Sequence, residues 1–144
     1  MKRSSIRFLL LGITAATLIA SCASDPRDLD NDELSSLLSL TNVIKTEVRR
    51  PGNVNEITGL IVDTTVIHTG FATINVPFRM TWALRKDGST VGTAWQDFPA
   101  RFSPGQSASI RLVIPFAART DLDGLTDIVT FDLLDTDSLS PIGN

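Results

Sequence analysis

His68 is the only histidine of this 144-residue chain and Cys22 its only cysteine. A nucleophile needs a base within hydrogen-bond reach, and no serine stands in a Gly-x-Ser-x-Gly turn that would aim it at that histidine. One imidazole and one thiol also fall short of the ligand sets that zinc and copper require. Gly88 and Gly92 lie on the two sides of a hairpin, so they supply no phosphate-binding loop at the start of a helix. His68 ends an apolar run beside Thr69-Gly70 and reads as a strand-end or turn residue. These residue types argue for a protein that is not an enzyme and needs no cofactor.

Two other groupings could bind something. Asp121, Asp123, Gly124 and Asp127 form a D-x-D-G-x-x-D string, and oxygen-rich loops of this kind can hold Ca²⁺. The string lacks the third early acid and the distal glutamate of an EF-hand, and a solvated turn accounts for the same residues. Trp82 and Trp95 are the second grouping, as indoles that could form a platform for glycans. Trp82 shares its strand face with Phe78, Met80 and Leu84, which places it in a core. Trp95 shares its side with Val91, Thr93 and Asp97, and is the better candidate for an exposed ligand contact.

The elements that would carry these residues begin with the amino terminus. Lys2, Arg3 and Arg7 accompany an apolar run of 12 residues from Phe8 to Ile19. As a helix it would span about 18 Å at about 1.5 Å per residue. A hydrocarbon core is about 30 Å thick, so the run reads as the apolar part of a secretory signal. Ile19-Ala20-Ser21-Cys22 follows and resembles the lipobox of bacterial lipoproteins, in which a cysteine is acylated and then freed as the new first residue. The resemblance implies that residues 1–21 are removed and that Cys22 anchors the chain in a membrane. An ordinary secretory cleavage would instead leave an odd thiol outside the cytoplasm, a difficulty that acylation removes. Ala23 and Ser24, with no aspartate directly after Cys22, resemble the default sorting pattern for an outer membrane, with the domain facing the periplasm.

Residues 22–41 are expected to form an acidic tether. Ala23 to Glu33 is charged and poor in apolar groups, so it cannot bury enough surface to order itself. Leu34, Leu37 and Leu38 lie at helical spacing behind Asn31, which could cap a short helix. From Asn42 the period changes to two. Phe78, Met80, Trp82 and Leu84 alternate with polar or small residues, as do Ile110, Leu112, Ile114 and Phe116, and then Val129, Phe131 and Leu133. Further strands are expected in Val43–Val48, Ile57–Ile67 and Val91–Phe102, the last broken by Pro99. Turn signals separate the runs, and Asp87-Gly88 is a strong hairpin signal. The pattern predicts an all-β, antiparallel sandwich of roughly seven strands over residues 42–137, with a tail at 138–144. With 42% hydrophobic residues, the chain can build one core. Loss of Lys2, Arg3 and Arg7 leaves 10 basic against 16 acidic residues, a net charge of −6, which argues against nucleic acid as a partner.

Within this frame Ile57-Thr58-Gly59, Trp82 followed by Lys86-Asp87-Gly88, Val91-Gly92-Thr93 and Phe102-Ser103-Pro104-Gly105-Gln106-Ser107 resemble the immunoglobulin-like domains of envelope proteins. The YcfL-like periplasmic lipoproteins are the nearest in pattern, and the FxLYD-type domains are more loosely similar. The resemblance covers about Asn42 to Leu134, and the leader extends the YcfL-like likeness to the whole chain. It implies a β-sandwich and imports no catalytic residues. The function expected is a non-enzymatic module tethered through Cys22, binding another envelope protein or acting structurally. The alternative is a small-ligand module, taking Ca²⁺ at Asp121–Asp127 or a glycan at Trp95.

Two or more acyl chains bind a membrane stably where one chain is marginal. Cys22→Ser is therefore expected to release the protein from washed membranes, or to trap it with its leader uncleaved. A mature Cys22→Ser protein that stays tightly bound would contradict the lipid anchor.

Overall fold

The computed structural model describes residues 29–136 and 141–142, so the leader, Cys22 and most of the acidic segment lie outside it. A short helix, α1 (Asn31–Leu37), opens the described fold. Its cap is Asp30 rather than Asn31: the Asp30 carboxylate accepts the Glu33 N–H at 2.8 Å, satisfying a donor that the first turn leaves free. Asn31 is thereby left for a different task. Its side-chain oxygen accepts the Leu133 N–H at 2.8 Å, tying the helix to a strand a hundred residues away in sequence. Leu34 is completely buried in the core. Residues 31–41, expected in the tether, thus belong to the folded unit, because the leucines that pattern the helix have a core to enter.

Six strands follow: β1 (Leu38–Arg50), β2 (Asn53–His68), β3 (Phe78–Lys86), β4 (Ser89–Phe98), β5 (Ser107–Arg119) and β6 (Thr126–Leu133). They form two antiparallel sheets, β1-β2-β5 and β4-β3-β6. The first strand lies beside the second, the second beside the fifth, and the third between the fourth and the sixth, so that two three-stranded layers make an all-β sandwich. A strand fewer than the spacing suggests is present among the described residues. The run from Val91 stops at Phe98, ahead of Pro99, and Phe102 beyond it makes only an isolated bridge to Ile74.

The inner faces are those that the alternation predicts. Phe78, Met80, Trp82 and Leu84 of β3 face Leu60, Val62 and Val66 of β2 and Leu112 and Ile114 of β5, with Phe131 and Leu133 of β6 completing the layer. Asp87 and Gly88 both adopt positive φ, 50° and 80°, as a two-residue type I′ turn requires, and join β3 to β4. This turn, the β1–β2 turn at Pro51-Gly52 and residues 120–125 form one end of the sandwich. The other end carries α1 and the loops 69–77 and 99–106. Beneath those loops Phe78 stacks on Phe98 at 4.7 Å and meets Phe102 and Phe131 edge-on. Aromatic pairs in these geometries add to the stabilisation from their burial.

The two sheets approach most closely where β4 passes β5. A Cβ built on Gly92 would lie 2.7 Å from the Pro115 carbonyl oxygen and 3.0 Å from the Ile114 side chain. Only a residue without a side chain allows that approach. Gly92→Ala should therefore cost about 1–3 kcal/mol, as overpacking of a close contact does, measured by urea titration. An unchanged midpoint would mean that this seam can open freely.

Candidate functional site

The histidine singled out for chemistry is built into the frame. His68 ends β2, is 1% exposed, and lies parallel to the Phe102 ring at 6.2 Å. Its Nδ1 accepts the Gly70 N–H at 3.0 Å, and its Nε2 faces the Ala72 carbonyl at 2.7 Å. A backbone N–H can only donate, so Nδ1 carries no proton and Nε2–H donates to Ala72. Both nitrogens of this neutral ring are engaged in holding a loop. Gly70 packs against both the ring and the helix, since a Cβ there would lie 2.9 Å from His68 Cε1 and 2.3 Å from Leu37 Cδ2. The expectation of a turn residue agrees with this geometry.

The acids of the string do not converge on one point. Asp121 accepts the Asp123 N–H at 3.1 Å, an Asx turn that orders the loop through its own backbone. Asp127 lies on β6, where its carboxylate accepts the Trp82 indole N–H at 2.9 Å and pairs with Lys45 of β1. Among the described residues no group of three or more His, Cys, Asp or Glu is disposed to hold a metal ion. The reason is the strand period: Asp127 shares its side with Val129 and Phe131 and sits at the open rim of that face, its side chain 32% exposed, where Trp82 and Lys45 hold the carboxylate.

That carboxylate answers a need of the core. Trp82 is 3% exposed, and a buried indole N–H without an acceptor would cost free energy. Asp127 supplies the acceptor, and the Lys45 ammonium balances its charge while lying 5.9 Å from the Trp82 ring centre. A groove of about 220 Å³ opens beside this trio, lined by Lys45, Glu47, Leu60, Leu84, Leu122, Leu125 and Asp127. It is smaller than the roughly 300–1,000 Å³ of typical small-molecule sites.

Trp95 has the opposite placement. It is 56% exposed on the outer face of β4, opposite Thr81, with the Arg79 guanidinium 5.3 Å from its ring centre. Arg79 is held in turn by two hydrogen bonds to Asp97, at 2.6 and 3.0 Å. These bonds keep the Asp97 carboxyl below the ordinary aspartate range, against a slight desolvation, and the guanidinium charge acts in the same sense. Asp132 faces Arg79 from β6 and adds its charge. The result is an indole, a guanidinium and a carboxylate fixed relative to one another on a flat sheet. Trp95 was legible as a candidate from its strand position, whereas Arg79 and Asp97 were not, because the β3–β4 register that sets them opposite each other is not a local property.

Cys22 and the lipobox residues Ile19, Ala20 and Ser21 lie outside the described residues, and no helix among those described is long and apolar enough to cross a membrane. Comparison of the chain with protein-family models, curated proteins and solved structures finds no match.

The two tryptophans should respond differently to truncation. Trp82→Ala is expected to cost about 3–5 kcal/mol, since it removes a core ring. Trp95→Ala should cost below about 1 kcal/mol, the scale of one exposed cation–π contact. The reverse order in denaturant titrations would invert the assignment of inner and outer faces. Asp97 adds a pH dependence. Its folded value is depressed, so the Arg79 pair stabilises the fold above the unfolded aspartate value, about 3.9, and that contribution is lost as pH falls through the folded value. Asp97→Asn should weaken the loss of stability on acidification, and added salt should shrink the difference. Identical acid profiles for the two proteins would exclude the pair as a contributor.

Proposed function

We propose that this protein is a non-enzymatic cell-envelope lipoprotein. In this reading Cys22 carries the acyl anchor, and the sandwich is a protein-binding module held at the periplasmic face of an outer membrane. The observation that carries the binding role is the Trp95–Arg79–Asp97 assembly. Tryptophan and arginine are the residue types most enriched among contacts that dominate interface energies. Here Trp95 is exposed and Arg79 partly so, and both are already ordered, so little side-chain entropy remains to be lost when a partner arrives. The guanidinium over the indole also occupies ring surface that a stacked sugar would need, which favours a protein partner over a glycan. The sequences around Cys22 supply the location, and the neutral, fully bonded His68 leaves no base for hydrolytic chemistry in the loop it holds.

The test uses a chain starting at Ala23, immobilised against a detergent extract of envelopes from the producing cell. Trp95→Ala should weaken capture of the partner by at least about 2 kcal/mol, roughly thirtyfold, as loss of an interface anchor does. Its thermal unfolding should stay close to wild type. Equal capture by both proteins would remove Trp95 from the interface, and retention on immobilised envelope glycan that Trp95→Ala abolishes would replace the protein partner by a saccharide.

A further inference from the structure

Phe71 is fully exposed, in a loop that is otherwise tightly held. The two ring nitrogens of His68 fasten the backbone on either side of it, at Gly70 and at Ala72. Thr69 N–H donates to the Leu37 carbonyl at 2.8 Å, and Ile74 exchanges hydrogen bonds with Phe102 at 2.9 and 3.0 Å. Fastened at these points, the chain presents a bare aromatic side chain at a fixed place. A singly exposed apolar residue is ordinary on a protein surface. A buried histidine with both nitrogens committed to the peptides beside it is a more specific arrangement.

The location of the loop says what it would meet. It lies at the end of the sandwich that also carries α1, so the polypeptide leaves the fold there towards Cys22. From Asp30 back to Cys22 the chain can reach at most about 28 Å at about 3.5 Å per residue. Residues 69–77 contain no charged side chain, and the adjoining loop 99–106 contains one, Arg101. The opposite end exposes Asp87, Asp121 and Asp123 in its turns, with Lys86 partly exposed at the end of β3. Acids also lie at the loop end: Asp30, Asp32 and Glu33 at the helix where the tether enters, and Asp132 and Asp135 at the close of β6, set off from residues 69–77 themselves.

We infer that Phe71 is a membrane-contact residue, which enters the interfacial region of the bilayer that carries the Cys22 anchor and orients the sandwich with its charged turns facing away. This inference rests on the lipid-anchored reading proposed above. Phenylalanine is one of the apolar side chains that membrane-surface segments bury at the boundary between headgroups and acyl chains, and an acyl anchor on a short tether keeps the loop within reach of it.

The experiment uses the full chain, produced with its leader and reconstituted into vesicles of phosphatidylcholine and phosphatidylethanolamine. In a Trp95→Phe background the remaining Trp82 is buried, so Phe71→Trp adds one reporting indole at the loop, and Ser89→Trp adds one at the far turn. Brominated acyl chains should quench the indole at position 71 and shift its emission to the blue, and should leave the indole at 89 unchanged. If the protein floats with the vesicles but both positions respond alike, the inference is overturned while the anchor stands. If the protein does not float, the anchored reading fails and this inference with it.

Discussion

The burial of Trp82 is the constraint from which much of the fold follows. An indole in the middle of β3 brings more apolar surface to the core than any aliphatic residue, and it brings one N–H that must be satisfied. The acceptor has to come from a neighbouring strand and from the inner side of the sheet. Asp127 meets both conditions, and its charge then requires a cation at the rim, which Lys45 supplies from the facing sheet. One hydrogen bond and one ion pair thus join β3, β6 and β1 and fix how the two sheets sit along that side. On the other side Gly92 allows the backbones of β4 and β5 to meet. The sandwich is held by side-chain chemistry on one flank and by close backbone approach on the other.

The residues with chemical potential divide by end and by face. His68 orders the loop at the helix end, Asp121 orders a turn at the far end, and Asp127 sits at the rim of the sandwich, bonded to Trp82 and Lys45. Each has partners that account for its position. The outer face of the β4-β3-β6 sheet carries the exposed Trp95, with Arg79 and Asp97 fixed beside it. In the proposed reading the helix end faces the membrane and this outer face meets a partner.

How much of this was legible beforehand follows from the range of each signal. The inward set Phe78, Met80, Trp82 and Leu84 was readable because the strand period is a local property, and the Asp87-Gly88 turn because two positive φ values demand particular residues. The helix was readable from Leu34 and Leu37, but its cap was misplaced by one residue, since Asp30 and Asn31 are equally good caps in isolation and only the Leu133 N–H distinguishes them. Asp127 was grouped with Asp121 and Asp123 by proximity in sequence. Its spacing from Val129 and Phe131 already put it on the inner face, but the link to Trp82 depends on the register of β3 with β6. Lys45 and Arg79 were invisible for the same reason, as their partners are 82 and 18 residues away.

The central claim is that this sandwich is displayed from an acylated first residue, and the mass of the mature protein tests it most directly. Protein purified in detergent from the membranes of a bacterium that expresses this chain should begin at Cys22. It should carry the added mass of a thioether-linked diacylglyceryl group, with or without a further amide-linked acyl chain. A mature chain of unmodified mass, or one that begins at any other residue, would contradict the account.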